Sequence, residues 1–299
     1  MKKQGLRSNI FLTITAAIWG FAFVAQRVGA QYIGAFTFNG IRFAIGGISL
    51  IPLLLYFSKK SSEEKAENYS SSAIPGGMIA GCILFLAASL QQIGLASTTA
   101  GKAAFITGLY IVLVPLFGIL LKHRIQATVW FGAILAIIGL YFLSVTESFS
   151  ISKGDFFELI GAVFWACHIL SIDYFTKKVD ALKLSFIQFI TCSALSMAAA
   201  FIFEKITMYG LTEALIPILY GGFCSVGIAY TLQVVAQKHA KASHAAIILS
   251  MESVFAAIGG LLLLDEIMGV RGYTGCALML AGMLLSQLQS FGSKTESKY

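Results

Sequence analysis

The sequence predicts an all-α integral membrane protein of ten transmembrane helices, with both termini cytoplasmic. Three observations carry that expectation. Of 299 residues, 58% are apolar and 12% are charged, and the mean hydropathy is +0.83. Soluble domains carry about 25% charged residues, so this chain lacks the polar surface that soluble domains need. Ten apolar runs have the length, about 20 residues, at which a helix rising about 1.5 Å per residue crosses a hydrocarbon core of about 30 Å. Finally, the basic residues divide unequally between alternate joins.

The runs fall at 9–28, 35–57, 74–95, 99–121, 126–145, 155–175, 183–203, 213–236, 243–263 and 270–289. Helices are expected throughout, because the alternating ten-residue segments of a membrane barrel are absent. The first run follows Lys2-Lys3 and ends near Val28-Gly29-Ala30, as a signal peptide can. At about 18 residues it is long for a signal core, so it counts as a retained span. Short joins follow, marked by turn residues or charge at 29–34, at Lys122-His123-Arg124 and at 265–269. The longest polar join, 58–72, is a Ser/Glu/Lys loop with nothing to build a core.

Lys and Arg orient such a chain, because cytoplasmic joins retain them. Of 21 in all, fifteen fall at the two ends and in the joins after the second, fourth, sixth and eighth runs. Five fall on the other side: Arg27, Lys102, Lys153, Lys205 and Arg271. Arg42 lies within a run. The formal net charge of +7 is therefore an orientation signal, and nucleic acid is not an expected partner. The expected partners are the lipid bilayer of the plasma membrane and a small-molecule substrate, with the protein a monomer or homodimer. All five Cys lie inside runs without metal-ligand spacing, so no metal or cofactor is expected.

The second half of the chain resembles the first. Ala16-Ala17-Ile18-Trp19 matches Ala162-Val163-Phe164-Trp165 at an offset of 146 residues. Lys102-Ala103-Ala104-Phe105-Ile106 matches His244-Ala245-Ala246-Ile247-Ile248 at 142, and Gly132 and Gly139 match Gly275 and Gly282 at 143. The halves divide at 1–146 and 147–299, with five spans each. Because five is odd, they insert in opposite orientations, the inverted repeat that many secondary transporters use.

These features together resemble the EamA-like family of the drug/metabolite transporter superfamily. The likeness rests on the Trp19 and Trp165 pair, on Thr98-Thr99-Ala100-Gly101-Lys102-Ala103-Ala104-Phe105-Ile106-Thr107, on Val114-Pro115, and on Asp265-Glu266 before a Gly-spaced last span. It extends over nearly the whole chain. The resemblance implies a ten-helix carrier, often an exporter of amino acids or other metabolites. It further implies a central cavity lined mainly by spans 1–4 and 6–9, with spans 5 and 10 peripheral. The first half departs from the pattern in carrying Lys122-His123-Arg124 where the acidic pair of the second half aligns.

Ionisable groups near mid-membrane are costly and tend to face the bundle interior. Glu252 lies about ten residues into span 9, on a stripe with Ala245, Ala256 and Gly259. It either binds a cationic group or carries a coupling proton, or it serves as a structural link to a neighbouring helix. Arg42 shares a face with Asn39, Gly46 and Ser49. Its planar fork suits a substrate carboxylate, and snorkelling or an ion pair is the alternative. His168 stands one turn after Trp165, either as a relay or substrate contact or as a satisfied packing residue. His244 is expected among the headgroups.

Polar amides lie on small-residue stripes: Gln26 with Thr15, Trp19 and Ala22; Gln92 with Ala88 and Ala96; Gln233 with Ser225 and Ala229; and Gln188 alone in span 7. Interhelical hydrogen bonds account for most of them. Tyr110 aligns with Glu252 at the repeat offset and offers an aromatic wall opposite the carboxylate. Trp19 and Trp165 suit an amphipathic, aromatic or cationic solute. Pro115 removes a backbone donor inside span 4 and marks a hinge. Glycine pairs at 46–47, 221–222 and 259–260 are either hinges or close packing points. Neither a Ser-hydrolase elbow nor HExxH occurs, so no enzyme is expected. The reading is a secondary carrier that exports a small metabolite, first an amino acid, by alternating access and with proton coupling. A multidrug or nucleoside-type carrier and a passive channel are the alternatives.

Overall fold

Backbone groups in hydrocarbon have no water to bond, so apolar runs close their hydrogen bonds internally as helices. The computed structural model describes residues 2–60, 72–120, 127–144, 151–240, 242–267 and 269–285. Among them, eight helical stretches are long and apolar enough to cross a membrane: Gly5–Gly29, Ala35–Phe57, Ala73–Leu95, Ala100–Gly118, Lys153–Phe175, Ala181–Phe203, Leu215–Gln237 and Ala242–Leu264. The expected fifth and tenth spans correspond to helices at Ala127–Ser144 and Val270–Leu285. Part of each of those two runs lies outside the described residues, as does Lys122-His123-Arg124. The protein is an all-α, multi-span membrane protein.

Helix α1 (Lys2–Gly29) is followed by α2 (Ala35–Lys60) and α3 (Ala73–Leu95). Span 4 is two pieces, α4 (Ala100–Thr107) and α5 (Tyr110–Leu120), followed by α6 (Ala127–Ser144). Then come α7 (Lys153–Phe175), α8 (Ala181–Phe203), the short α9 (Met208–Glu213) and α10 (Leu215–Leu219). A π-helical segment (Tyr220–Tyr230) leads into α11 (Thr231–Gln237). Span 9 is also split, into α12 (Ala242–Leu249) and α13 (Glu252–Leu264), before α14 (Val270–Leu285).

Local chemistry sets the ends. Ser72, Thr99, Ser152 and Asp180 turn their side-chain oxygens onto the first free amides of α3, α4, α7 and α8. Helix α13 ends where Asp265 takes a left-handed backbone (φ 51°), a conformation Asp tolerates better than most residues.

Helix α2 packs against α8 and the π-helical segment, α3 against α7 and α8, and α1 against α13, while α6 pairs with α14 at the side. Large apolar side chains such as Phe201, Ile202, Phe203 and Leu262 point outward, as a lipid-facing surface requires. The glycine pairs sit at close crossings: a Cβ at Gly46 would meet Val226, and one at Gly222 would meet Ile45.

The helix of span 4 is interrupted ahead of Pro115 and runs continuously through it. The break in span 4 is at Gly108–Leu109, where the amides of Ile111 and Val112 reach back only three residues. Pro115 lies inside α5. A proline inside a helix removes a single bond, whereas Gly108 weakens the turn that tightens. Span 9 carries a matching break at Ser250–Met251, 142 residues later.

Candidate substrate cavity

The two breaks bring their new helix starts together. Tyr110 is the first residue of α5 and Glu252 the first of α13. The Tyr110 hydroxyl donates to Glu252 Oε1 at 2.9 Å, and both side chains are buried. Ser253 Oγ donates to the Ala104 carbonyl at 2.8 Å, so one broken helix is tied to the other. Gly20 of α1 allows this approach: a Cβ there would lie 2.3 Å from Phe255 Cβ and 2.8 Å from the Glu252 carbonyl.

Glu252 and Tyr110 line a cavity of about 20 Å³ between the helices. A single water needs roughly 10–15 Å³ on this measure, so the walls here close around little more than one. Arg42 lines the same cavity and is only 1% exposed. Its Nε donates to Asn39 Oδ1 at 2.9 Å, and its guanidinium lies over Phe38 and Phe43, 5.6 and 4.9 Å from the ring centres. No carboxylate pairs with it among the described residues, and its Nη2 has no hydrogen-bond partner. A desolvated guanidinium in this setting attracts an anion.

Aromatic rings form the wall. Tyr230 stands 4.5 Å from Trp19 and 6.1 Å from Trp165, the latter nearly stacked. Trp19 Nε1 donates to the Ser225 carbonyl at 3.3 Å, and Trp165 Nε1 is buried without a partner. Gln233 also lines the cavity, with both amide atoms unpaired.

Of the nine expected substrate contacts, Glu252, Tyr110, Arg42, Trp19, Trp165 and Gln233 share this one cavity. Asn39, Gln92 and His168 stand behind its wall. Asn39 holds Arg42; Gln92 Nε2 donates to the Gln26 carbonyl at 3.0 Å; and His168 Nε2 meets Gln188 Oε1 at 2.9 Å with its ring edge-on to Trp165. His244 bonds Asn9 Oδ1 at 2.9 Å near the far end of α1.

Sequence reasoning passed over Tyr230, Gln91 and Glu158. In an α-helix, residues five apart lie on different sides, so Tyr230 would be turned away from Ser225 although it shares a side with Gln233. The π-helical segment widens the turn to i→i+5 and brings Ser225 and Tyr230 onto one face. Gln91 takes the place at the cavity expected of its neighbour Gln92 and donates to Gln26 Oε1 at 3.1 Å.

At the membrane face where α2 and α4 begin, two carboxylates cap the starts of those helices. Glu204 accepts from the Phe36 and Thr37 amides, both at 2.8 Å, and from Thr37 Oγ1 at 2.7 Å. Glu266 accepts from the Ala100 amide at 3.0 Å and more loosely from Gly101. Beside them Lys102 pairs with Asp155 at 2.5 Å, and Thr98 donates to the same carboxylate. Among the described residues no group of three or more His, Cys, Asp or Glu is arranged to hold a metal.

A multi-span helical protein with a polar cavity at paired helix breaks has the architecture of a membrane carrier. The profile of the EamA-like transporter family matches residues 6–145 and again 152–288. The chain belongs to that family, part of the drug/metabolite transporter superfamily, and is a transporter rather than an enzyme. A protein of Archaeoglobus fulgidus described as an uncharacterized transporter is 30% identical over 97% of this chain and 91% of its own. The uncharacterized transporter YoaV of Bacillus subtilis is 23% identical over 90% and 92%. A solved crystal structure superposes with a TM-score of 0.71 over 96% of this chain and 99% of its own, at 17% identity, a likeness of fold alone.

Proposed function

We propose that this transporter is a secondary carrier of the plasma membrane that exports a small zwitterionic metabolite, an amino acid with an apolar or aromatic side chain. The observation that carries the reading is the shared cavity of Glu252, Arg42 and the Trp19–Tyr230–Trp165 wall. The carboxylate suits an ammonium group, the unpaired guanidinium suits a carboxylate, and the rings suit the apolar body between them. Gln233 offers both a donor and an acceptor to the same solute.

The chain crosses ten times as two five-span repeats, 1–146 and 147–299, of opposite orientation, with both termini cytoplasmic. The distribution of Lys and Arg supports this topology, and so do the two family matches and the breaks 142 residues apart. The cavity is far smaller than the roughly 300–1,000 Å³ of ordinary ligand sites, which supports a cycle in which it widens toward one face and then the other. Glu252 exchanges a proton for the substrate ammonium in that cycle, so export is driven by proton entry. Loss of the proton leaves the carboxylate free to pair, and Tyr110 holds it in place.

The test is thermal-shift screening of purified protein against amino acids, nucleosides and cationic drugs, followed by flux in proteoliposomes. An amino-acid hit whose stabilisation disappears in Glu252→Gln, in Arg42→Gln and in Tyr110→Ala supports the site. Transport insensitive to a pH gradient, with Glu252→Gln unchanged, refutes the coupling. A hit indifferent to all three variants moves the site elsewhere.

A further inference from the structure

We propose that Glu158 is a second proton-carrying residue of this carrier, joined to the central cavity through the hydroxyl of Thr107; the inference rests on the proton-coupled reading above. Glu158 lies on α7 about one and a half turns from its start and is fully buried. Its Oε2 accepts from Thr107 Oγ1 at 3.0 Å, and Thr107 itself lines the cavity that Glu252 and Tyr110 line. The other oxygen, Oε1, is buried without a hydrogen-bond partner. A purely structural acceptor for Thr107 needs one oxygen, and a glutamine supplies it. Here the chain instead keeps an acid, with one oxygen uncommitted, in a place where burying a charge is costly.

The surroundings are built to admit that acid. Gly94 of α3 faces it, and a Cβ at that position would come within 2.8 Å of Oε1. The cation on α4, Lys102, is engaged with Asp155 at 2.5 Å and so is not the counter-ion of Glu158. Of the elements packed against α7, α3 brings only Cys82 among titratable groups, α5 brings Tyr110, α11 brings none, and α12 brings His244, which bonds Asn9. Asp155 lies one turn earlier on the same face, and Glu252 of α13 lines the cavity that Thr107 also lines. Glu158 thus stands between the cavity and the Asp155–Lys102–Thr98 group at the membrane face.

A proton taken up by Glu158 passes by way of the Thr107 hydroxyl, one cavity water and the Tyr110 hydroxyl to Glu252. Each hydroxyl gains one proton as it gives up another, so none is changed. Glu158 draws that proton past Asp155 from the face bearing Lys102, and Glu252 releases it toward the cytoplasm, the direction of proton entry. One proton crosses for each round, and the carboxylates return to their starting forms.

Two measurements on the full-length protein test this. In infrared titration of purified protein, a protonated-carboxyl band that disappears as pH rises is expected, absent in Glu158→Gln and shifted in Thr107→Val. In proteoliposomes, Glu158→Gln and Thr107→Val are expected to lower transport driven by a pH gradient by about tenfold or more, the scale of losing a proton-transfer group. Exchange of substrate for substrate at equal pH is expected to persist in Glu158→Gln. A Glu158 band that does not titrate overturns the proposal, as does gradient-driven transport that stays at the wild-type rate. Loss of exchange together with drive makes Glu158 structural and also overturns it. The coupling role of Glu252 is read separately, from Glu252→Gln in the same vesicles, so either assignment can fail alone.

Discussion

Glu204 follows the last residue of α8 and holds the first turn of α2 through three short hydrogen bonds, of 2.8, 2.8 and 2.7 Å. The Glu204→Gln substitution keeps the shape but leaves one acceptor oxygen, and it turns an amide N–H₂ toward a backbone donor. Losing a cap costs about 0.5–2 kcal/mol, and losing the negative charge at a helix N-terminus costs about 0.3–1 kcal/mol. Together they come to about 2 kcal/mol, a factor of about 30 in an equilibrium between latched and open forms. The expected readout is hydrogen exchange by mass spectrometry: the Phe36 and Thr37 amides exchange about 30-fold faster, while the interior of α3 is unaffected. Gly34→Ala provides an independent route to the same state. Its Cβ would lie 2.1 Å from Glu204 Cδ, so the carboxylate must leave although its charge is retained. If Phe36 and Thr37 exchange at wild-type rates in both variants, the latch does not hold this face closed and the argument from these bonds fails.

Three further outcomes follow from the same geometry. Tyr110→Phe deletes the 2.9 Å bond to Glu252 and is expected to lower thermal stability by about 0.5–1.5 kcal/mol, with weaker substrate protection; an unchanged melting curve and unchanged protection would count against the pair. Gly20→Ala drives a methyl into Phe255 and the Glu252 carbonyl, at an expected cost of about 1–3 kcal/mol in denaturant or thermal unfolding, with transport impaired more than in Gly5→Ala, where the space is open. Pro115→Ala restores a backbone donor inside α5 without touching the break at Gly108–Leu109. Flux within about twofold of wild type is expected, and a large loss of flux would place a hinge at Pro115.

The membrane class, the positions of eight spans, the family and most of the cavity side chains were legible in the chain itself. Length and hydropathy decide whether a segment spans, because the bilayer acts on each run separately. Glu252, Arg42, Trp19 and Trp165 stood out for a similar reason, since polar or bulky groups deep in a span are forced toward the interior whatever the partner helices are. The aligned Tyr110 and Glu252 pair was recoverable from the repeat offset alone. By contrast, Tyr230, Glu158, the latches at Glu204 and Glu266 and the true site of the break depend on tertiary packing. A π-helical segment brings Tyr230 onto one face with Ser225, and no apolar period announces such a turn. Glu158 finds Thr107 across 51 residues, and Glu204 finds Thr37 across 167. Such contacts exist only once separate helices have docked, so their energies appear nowhere in the local pattern. The sequence determines which segments enter the membrane and which side chains cannot face lipid; helix packing decides which of those side chains meet.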